Sequence, residues 1–389
     1  MSFHFDEIID RRGTSSMKWS PIPGTDGADI LPMWVADMDF RTAPPILEAL
    51  EKEVRHGIFG YCGTPEGYVQ AVIDWQRQHF QWEPQAEWLV RMPGVISAVN
   101  LAIQAFSHPG DFVLVQPPVY HHFLNDVTIN GRRLALAPIP EENGRYRFDP
   151  AAFEAAIVPN TRLFILCNPH NPTGNVWTRE ELATMAAICQ RHGVIVVADE
   201  IHQDLIFDPA LHHTSWGALG EEAARNAIIC TAPSKSFNLA GLQCANLFIP
   251  DPKLLSIFQA QCHRAGVFLN STMGTVACEA AYRHGEPWLR AMLRYVAGNH
   301  RYLVDEIAQR GLPLSVTPTG ALYLAWIDFR ALGLPPQRLH PFLLRQARLW
   351  LDDGRKFGPQ GDGFMRINLA CPRLRVEEAM ERLGSALAS

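Results

Sequence analysis

Two hydrophobic rhythms alternate along this chain. Short, nearly continuous apolar runs stand at Asp111-Phe112-Val113-Leu114-Val115, Leu163-Phe164-Ile165-Leu166-Cys167, Val194-Ile195-Val196-Val197-Ala198 and Ala227-Ile228-Ile229-Cys230. Between them, apolar residues recur every three or four positions. Ile46, Leu47, Leu50 and Val54 share a helical face that Pro44-Pro45 opens and Gly57 closes. Tyr68, Ala71, Val72 and Trp75 form a second such face, and Gly94 to Ala98 opens an apolar helix running to Phe106. Thr178-Arg179-Glu180-Glu181 is a capping-box signature for a helix reaching Arg191. Buried strands alternating with helices predict an α/β fold whose mostly parallel sheet is covered on both faces.

The texture changes near Gly285. A long amphipathic helix carrying Trp288, Leu289, Met292, Leu293, Val296, Leu303 and Ile307 leads into a smaller region with strands at Ala321–Trp326 and Phe364–Asn368. Residues 1–44 are rich in proline and glycine and read as an arm laid across another part of the molecule. The expected division is an N-terminal arm (1–44) joined to a small C-terminal α/β domain (286–389), with a large domain (45–285) between them.

Composition narrows the function. At 389 residues, two lobes are expected. A hydrophobic share of 47% with 19% charged residues is that of a soluble globular chain. A net charge of −6 offers no basic field for nucleic acid or anionic lipid. No apolar run reaches the ~18 residues that a membrane helix needs. The acidic start lacks the apolar core of a secretory signal, and no hydrophobic segment follows Arg11-Arg12, so a cytoplasmic location is expected. The eight cysteines form no C-x-x-C pair and read as buried free thiols.

Candidate chemistry lies where the strands end, since parallel α/β sheets bind ligands at the carboxyl ends of their strands. Four such ends deliver Tyr120, Asn171, Asp199 and Lys235. The helix start at Gly94, Val95 and Ile96 adds free N–H groups suited to a phosphate. A partly dry amine can lose its proton and attack a carbonyl. An aldehyde cofactor with a phosphate and a basic ring nitrogen would use the whole set, which describes pyridoxal 5′-phosphate.

Asn168-Pro169-His170-Asn171-Pro172-Thr173-Gly174, Ala198-Asp199-Glu200-Ile201-His202 and Ser234-Lys235-Ser236-Phe237-Asn238 resemble the markers of fold-type I pyridoxal-phosphate enzymes, the aspartate aminotransferase superfamily. Leu31 to Phe40, Phe59-Gly60-Tyr61 and Arg366 to Arg373 resemble the MalY/PatB-type cysteine C–S lyases, or cystathionine β-lyases. The resemblance covers essentially the whole chain. It implies that Lys235 carries the cofactor and shuttles the α-proton, and that Asp199 pairs with the ring nitrogen. By the same resemblance Asn171 meets the ring oxygen, Tyr120 stacks on the ring, and Gly94, Val95, Ile96, Thr231 and Ser234 bind the phosphate. Arg366 with Asn171 would grip the substrate carboxylate, while Trp34 and Val35 line the substrate mouth. Tyr61 would reach the phosphate of a second subunit, implying a homodimer with shared active sites.

Two departures from the aminotransferase pattern stand out. Gln243 occupies the place of a phosphate-binding arginine, and His202 the place of a tyrosine near the ring oxygen. Both suit the lyase group. The implied reaction is β-elimination of cystathionine or another L-cysteine S-conjugate, giving thiol, pyruvate and ammonia. The alternative is an aminotransferase, which would share every cofactor residue; a third reading is a regulatory binding protein on the same fold.

Other residues have plainer readings. The Asp199-Glu200-Ile201-His202 cluster with Asp204 lacks metal-ligand spacing. His121-His122 read as solvated rim, His212-His213 as surface loop, and Tyr323 and Trp326 as core. Arg373 reads as a second anion site or a surface salt bridge, and Cys62 as incidental. No serine-hydrolase elbow, Walker A motif or dinucleotide fingerprint is present.

Overall fold

The computed structural model describes residues 3–22, 29–142 and 145–388. Residues 1–2 and 23–28 of the expected arm, 143–144 of the expected large domain and 389 of the expected small one lie outside the described residues. In chain order the elements used below are β1 (Leu31–Pro32), α1 (Pro44–His56), α2 (Glu66–Phe80), β2 (Leu89–Met92), α3 (Val95–Phe106), β3 (Phe112–Val115), α4 (His121–Ile129) and β4 (Arg133–Leu136). Next come β5 (Thr161–Cys167), α5 (Arg179–Arg191), β6 (Ile195–Asp199), β7 (Ala227–Thr231), β8 (Ala245–Phe248), α6 (Pro252–Arg264), α7 (Thr272–His284) and α8 (Glu286–Gln309). The C-terminal part adds β9 (Ser315–Val316), β10 (Leu324–Asp328), β11 (Leu349–Trp350), β12 (Asp352–Asp353), β13 (Phe364–Asn368) and α9 (Arg373–Ala388).

Seven strands form the central sheet in the order β2-β8-β7-β6-β5-β3-β4. All neighbouring pairs are parallel except those made by β8, which runs antiparallel to both β2 and β7. Apolar side chains on its two faces enter two separate core clusters. Phe164, Leu166, Val196 and Ile229 face one, while Leu163, Ile165, Val197 and Ile228 face the other. Burial on both faces is why these strands read as continuous apolar runs.

A four-stranded antiparallel sheet, β9-β10-β13-β12, forms the second layer system and packs with α8 and α9 around Leu303, Ile327, Met365 and Met380. The arm lies beside it: β1 pairs in parallel with β11 as a separate two-stranded sheet, and Asn368 N in β13 donates to the Met33 carbonyl (2.8 Å).

Local expectations hold closely. Gly57 ends α1 in the left-handed region at φ 75°, its N–H reaching the Glu53 carbonyl. The Thr178 hydroxyl accepts from Glu181 N (3.2 Å), and the Glu181 carboxylate accepts from Thr178 N (2.9 Å). The strand expected at Ala321–Trp326 instead begins at Leu324. Leu322 sits at φ 67° and donates its N–H to the Leu205 carbonyl (2.7 Å), so the chain enters the strand through a turn.

Candidate active site

Cys167 is level with Asp199 on the adjacent strand, and Asp199 with Cys230 on the next. The segments leaving these strands therefore emerge on one edge, and Asp199, the last residue of β6, points there directly. After β7, a tight turn between Pro233 and Leu239 presents Ser234 and Lys235; the Phe237 and Leu239 N–H groups close on the Pro233 and Ser234 carbonyls. β13 of the smaller sheet brings Arg366 to face this edge.

Together they enclose a cavity of about 410 Å³, lined by Gly94, Val95, Ile96, Tyr120, Asn171, Asp199, His202, Ser234, Lys235, Arg366, Trp34 and Val35. A more open depression of about 510 Å³ lies elsewhere, walled by Trp75, Leu289 and Arg290. It contains none of these groups, so the chemistry selects the smaller cavity.

The charges inside are unusual. Burial drives the Lys235 amine down to about 8, with the Arg366 charge adding to the effect. Its Nζ donates to the Ala36 carbonyl at 2.7 Å. Burial pushes the Asp199 carboxyl up to about 7, against the opposing pull of the Ile201 N–H (3.0 Å) and the Lys235 charge. Burial also holds His202 well below the usual imidazole range, so it is neutral. Tyr120 is pushed up to about 12 and stays a phenol. Perturbed groups converging in one cleft mark a functional site.

Arg366 is almost wholly buried and tightly held. Its Nη1 donates to Asn171 Oδ1 (2.8 Å), and its Nη2 donates to the Trp34 carbonyl (3.1 Å) and Asp352 Oδ2 (2.6 Å). Arg366 Nε, His202 Nδ1, Trp34 Nε1 and His121 Nδ1 are buried around the same cavity without a protein partner. A buried donor without a partner is costly. Such an array, with a buried carboxyl, an amine that gives up its proton near 8 and a free helix start, fits a polar, phosphate-bearing aldehyde with a basic ring nitrogen.

Two of the expected site residues stand apart from this lining. Thr231 is fully buried at the end of β7 and donates its hydroxyl to the Asn246 carbonyl on neighbouring β8 (3.2 Å). Tyr61 is 92% exposed on the segment between α1 and α2. Gln243 is an exposed turn residue in the left-handed region.

Several plainer readings change. His213 is no surface residue: it is buried with Nε2 3.3 Å from Glu200 Oε2, while His212 remains exposed. His121 is half-buried in the cavity wall, and burial holds it near 4, so the solvated-rim reading suits only His122. Arg373 makes no salt bridge among the described residues; it donates to Asn299 Oδ1 (2.8 Å) and lies over the Tyr302 ring. Tyr323 is core, yet its hydroxyl reaches the same Ala36 carbonyl as Lys235 (3.2 Å). Glu200 turns to Trp216 N and His213, and Asp204 to Trp75 and Ser236. Among the described residues no group of three or more His, Cys, Asp or Glu could hold a metal ion.

The sequence reading missed Ser97, Ala36 and Asp352, all in the cavity wall. Asp352 carried a faint signal, an acidic pair before a glycine. Ala36 acts through its backbone carbonyl and carried none.

The chain matches the family described as aminotransferase class I and II over residues 29–383 and belongs to it. Within that family it is similar to cystathionine beta-lyase PatB of Bacillus subtilis, at 39% identity over 99% of this chain and 100% of that protein. It is similar to protein MalY of Escherichia coli at 32% identity over 99% of each chain. Among solved structures it resembles cystalysin from Treponema denticola, which contains a pyridoxal 5′-phosphate cofactor. The TM-score there is 0.96 at 33% identity, covering 100% of this chain and 99% of the other.

Proposed function

We propose that this chain is a pyridoxal-phosphate-dependent carbon–sulfur lyase that cleaves cystathionine or other L-cysteine S-conjugates by β-elimination. The observation that carries the reading is one cavity holding a neutral-prone amine, a ring-pairing carboxyl and an arginine fork, in a chain similar over its whole length to cystathionine β-lyases. When bound, the cofactor supplies an electron sink for the carbanion formed at the substrate α-carbon.

The chain's own residues do the rest. Lys235 would hold the cofactor aldehyde, and its amine would take the α-proton, which a depressed pKa allows near neutral pH. Asp199 would face a cationic ring nitrogen, whose charge would offset the burial that raises its carboxyl and keep it ionised. Arg366, steadied by Asp352, grips the α-carboxylate together with Asn171. Tyr120 would stack on the ring, and His202, as a neutral imidazole, would face the ring oxygen. Backbone N–H groups at Gly94, Val95 and Ile96, with Ser234 and Ser97, hold the phosphate; Thr231 supports this edge through β8. Trp34 and Val35 shape the mouth through which the sulfur substituent leaves.

The domain reading of 1–44 with 286–389 against 45–285 belongs to this proposal, as does a homodimer in which Tyr61 reaches the neighbouring phosphate. Its support is the exposed run Ile58, Phe59 and Tyr61, an apolar surface suited to cover by a second copy. Cytoplasmic residence accords with eight free cysteines. Among the described residues no helix is long and apolar enough to cross a membrane.

Incubation of the holoenzyme with cystathionine, without a 2-oxo acid, is expected to release pyruvate and thiol together. Turnover that depends on a 2-oxo acid and yields no thiol would replace this reading with the aminotransferase one.

A further inference from the structure

A thiol in the wall of the same cavity has a second, buried thiol behind it, both outside the residues used above. Cys244 immediately precedes β8, is half-buried and lines the cavity wall. Cys278 is fully buried on α7. Gly274, one helical turn before Cys278 on the same face, lets the two elements meet. A Cβ at Gly274 would lie 2.5 Å from the Leu242 carbonyl oxygen and 3.1 Å from Cys244 Cβ, so only glycine permits this approach.

The surroundings give the two thiols unequal roles. Asn246 Nδ2 donates to Cys278 Sγ (3.7 Å), and Asn246 Oδ1 accepts from Tyr68. The Tyr68 hydroxyl is 3.7 Å from Cys244 Sγ, and the Arg91 guanidinium lies 5.6 Å over the Tyr68 ring. A hydrogen bond from Cys278 draws Cys244 below the ordinary thiol range, while burial holds Cys278 well above it. Cys189, by contrast, has burial as the one cause of its shift, as inert cysteines do. A cavity-wall thiol drawn toward ionisation, linked through Tyr68 and Asn246 to a buried thiol that keeps its proton, is the arrangement of an attacking and a resolving cysteine.

We propose that Cys244 undergoes thiol–disulfide exchange with low-molecular-weight disulfides that enter the cavity, and that Cys278 resolves the product. The Cys244 thiolate attacks one sulfur of the small disulfide; the other leaves as a thiolate and takes up the proton Cys244 lost. Cys278 then gives up its proton and attacks the Cys244 sulfur, and the second small thiol leaves carrying that proton. The protein loses two hydrogens and gains one disulfide, while the small disulfide is reduced to two thiols. The new bond ties α7 to the start of β8 beside the phosphate end of the site.

The test treats the holoenzyme with 2-hydroxyethyl disulfide, which carries no amino-acid group and is no substrate for elimination. Peptide mapping by mass spectrometry is expected to find Cys244 linked to Cys278, with two titratable thiols lost per chain and activity restored by dithiothreitol. Cys278→Ser is expected to trap the hydroxyethyl adduct on Cys244, and Cys244→Ser to leave Cys278 unmodified. Unmodified Cys244 in the wild-type protein while half-buried Cys62 is labelled would overturn the proposal. So would a crosslink from Cys62 to either thiol, or an adduct on Cys278 in Cys244→Ser. Mapping needs no turnover, so these outcomes stand whether or not the chain proves to be a lyase.

Discussion

The strand-end edge and the arm segment 33–40 both bury charge, with opposite consequences. At the edge, burial moves three groups toward their neutral forms: Asp199 rises, while Lys235 and His202 fall. In the arm, Asp39 lies under Lys18 (2.6 Å), Arg11 (2.7 Å) and the Trp19 indole (3.0 Å). Burial pushes its carboxyl up, but the charge and hydrogen bond of Lys18, with those of Trp19 and Arg11, outweigh burial and leave it lowered. One region holds polar groups without full protein partners, ready for a ligand; the other surrounds the Asp39 carboxylate with three donors. Reactivity sits in the first, and the second supplies the rigidity that holds it in place.

The comparison breaks most visibly at Lys235. Lys235→Ala is expected to lower kcat/KM for cystathionine by about 10³-fold or more, since nucleophile and proton carrier vanish together. Folding should be unharmed. A variant that lost both activity and its cooperative unfolding transition would show that the edge lysine is structural, and the contrast between regions would fail.

Asp39→Ala should do the reverse. It leaves Lys18, 1% exposed, with the more distant Asp37 carboxylate (3.8 Å) in place of its 2.6 Å partner, a change that costs on the order of 3 kcal/mol of stability. Denaturant unfolding measures it. The depressed carboxyl also sets a pH dependence. Its contribution is fully present above the unfolded value of about 3.9 and is lost as pH falls through the lower folded value. Wild type and variant should therefore converge in stability only in strong acid.

Lys235→Met in the apoprotein tests the opposite sign. The unfolded lysine keeps its proton to about pH 10.4, whereas the folded one releases it near 8, so wild-type stability rises with pH across that window. The variant should be more stable than wild type below pH 8, by on the order of 2 kcal/mol after allowance for solvent screening, and equal to it above pH 10.4. A gain that did not vary with pH would mean better packing rather than relief of a buried amine.

The two regions also differed in how far the sequence revealed them. Strands buried on both faces leave unbroken apolar runs, and their ends are marked by rare residue types, so Tyr120, Asn171, Asp199 and Lys235 were all legible. The capping box at Thr178 was legible because its partners are three residues apart. The arm segment works mainly through its backbone. Arg366 meets the Trp34 carbonyl, Asn368 those of Val35 and Asp37, and Lys235 that of Ala36. A carbonyl is present at every residue and leaves no mark in a sequence. Its partners lie some 200 to 330 positions away, beyond any local pattern. His213 was misread for a related reason: a histidine pair in a polar stretch suggests surface, but only the fold brings Glu200 beneath the second one.

Asn238 is where the two regions touch, and its replacement gives the smallest effect and the sharpest discrimination. Its side chain accepts from Met38 N (3.0 Å) and donates to the Met38 and Phe40 carbonyls (3.0 Å each), joining the lysine turn to the arm. Its φ of 58° lies in the left-handed region, which asparagine tolerates better than most residues. Asn238→Ala loses all three bonds and adds backbone strain, so a stability loss of about 1–2 kcal/mol is expected. Asn238→Gly relieves the strain without restoring the bonds, and so isolates their share. If the arm holds the cavity mouth closed over Lys235, KM for cystathionine should rise equally in both variants while kcat changes little, because no reacting group has moved. A fall in kcat with KM unchanged would instead mean that the turn positions Lys235 directly, with the arm no more than a cover.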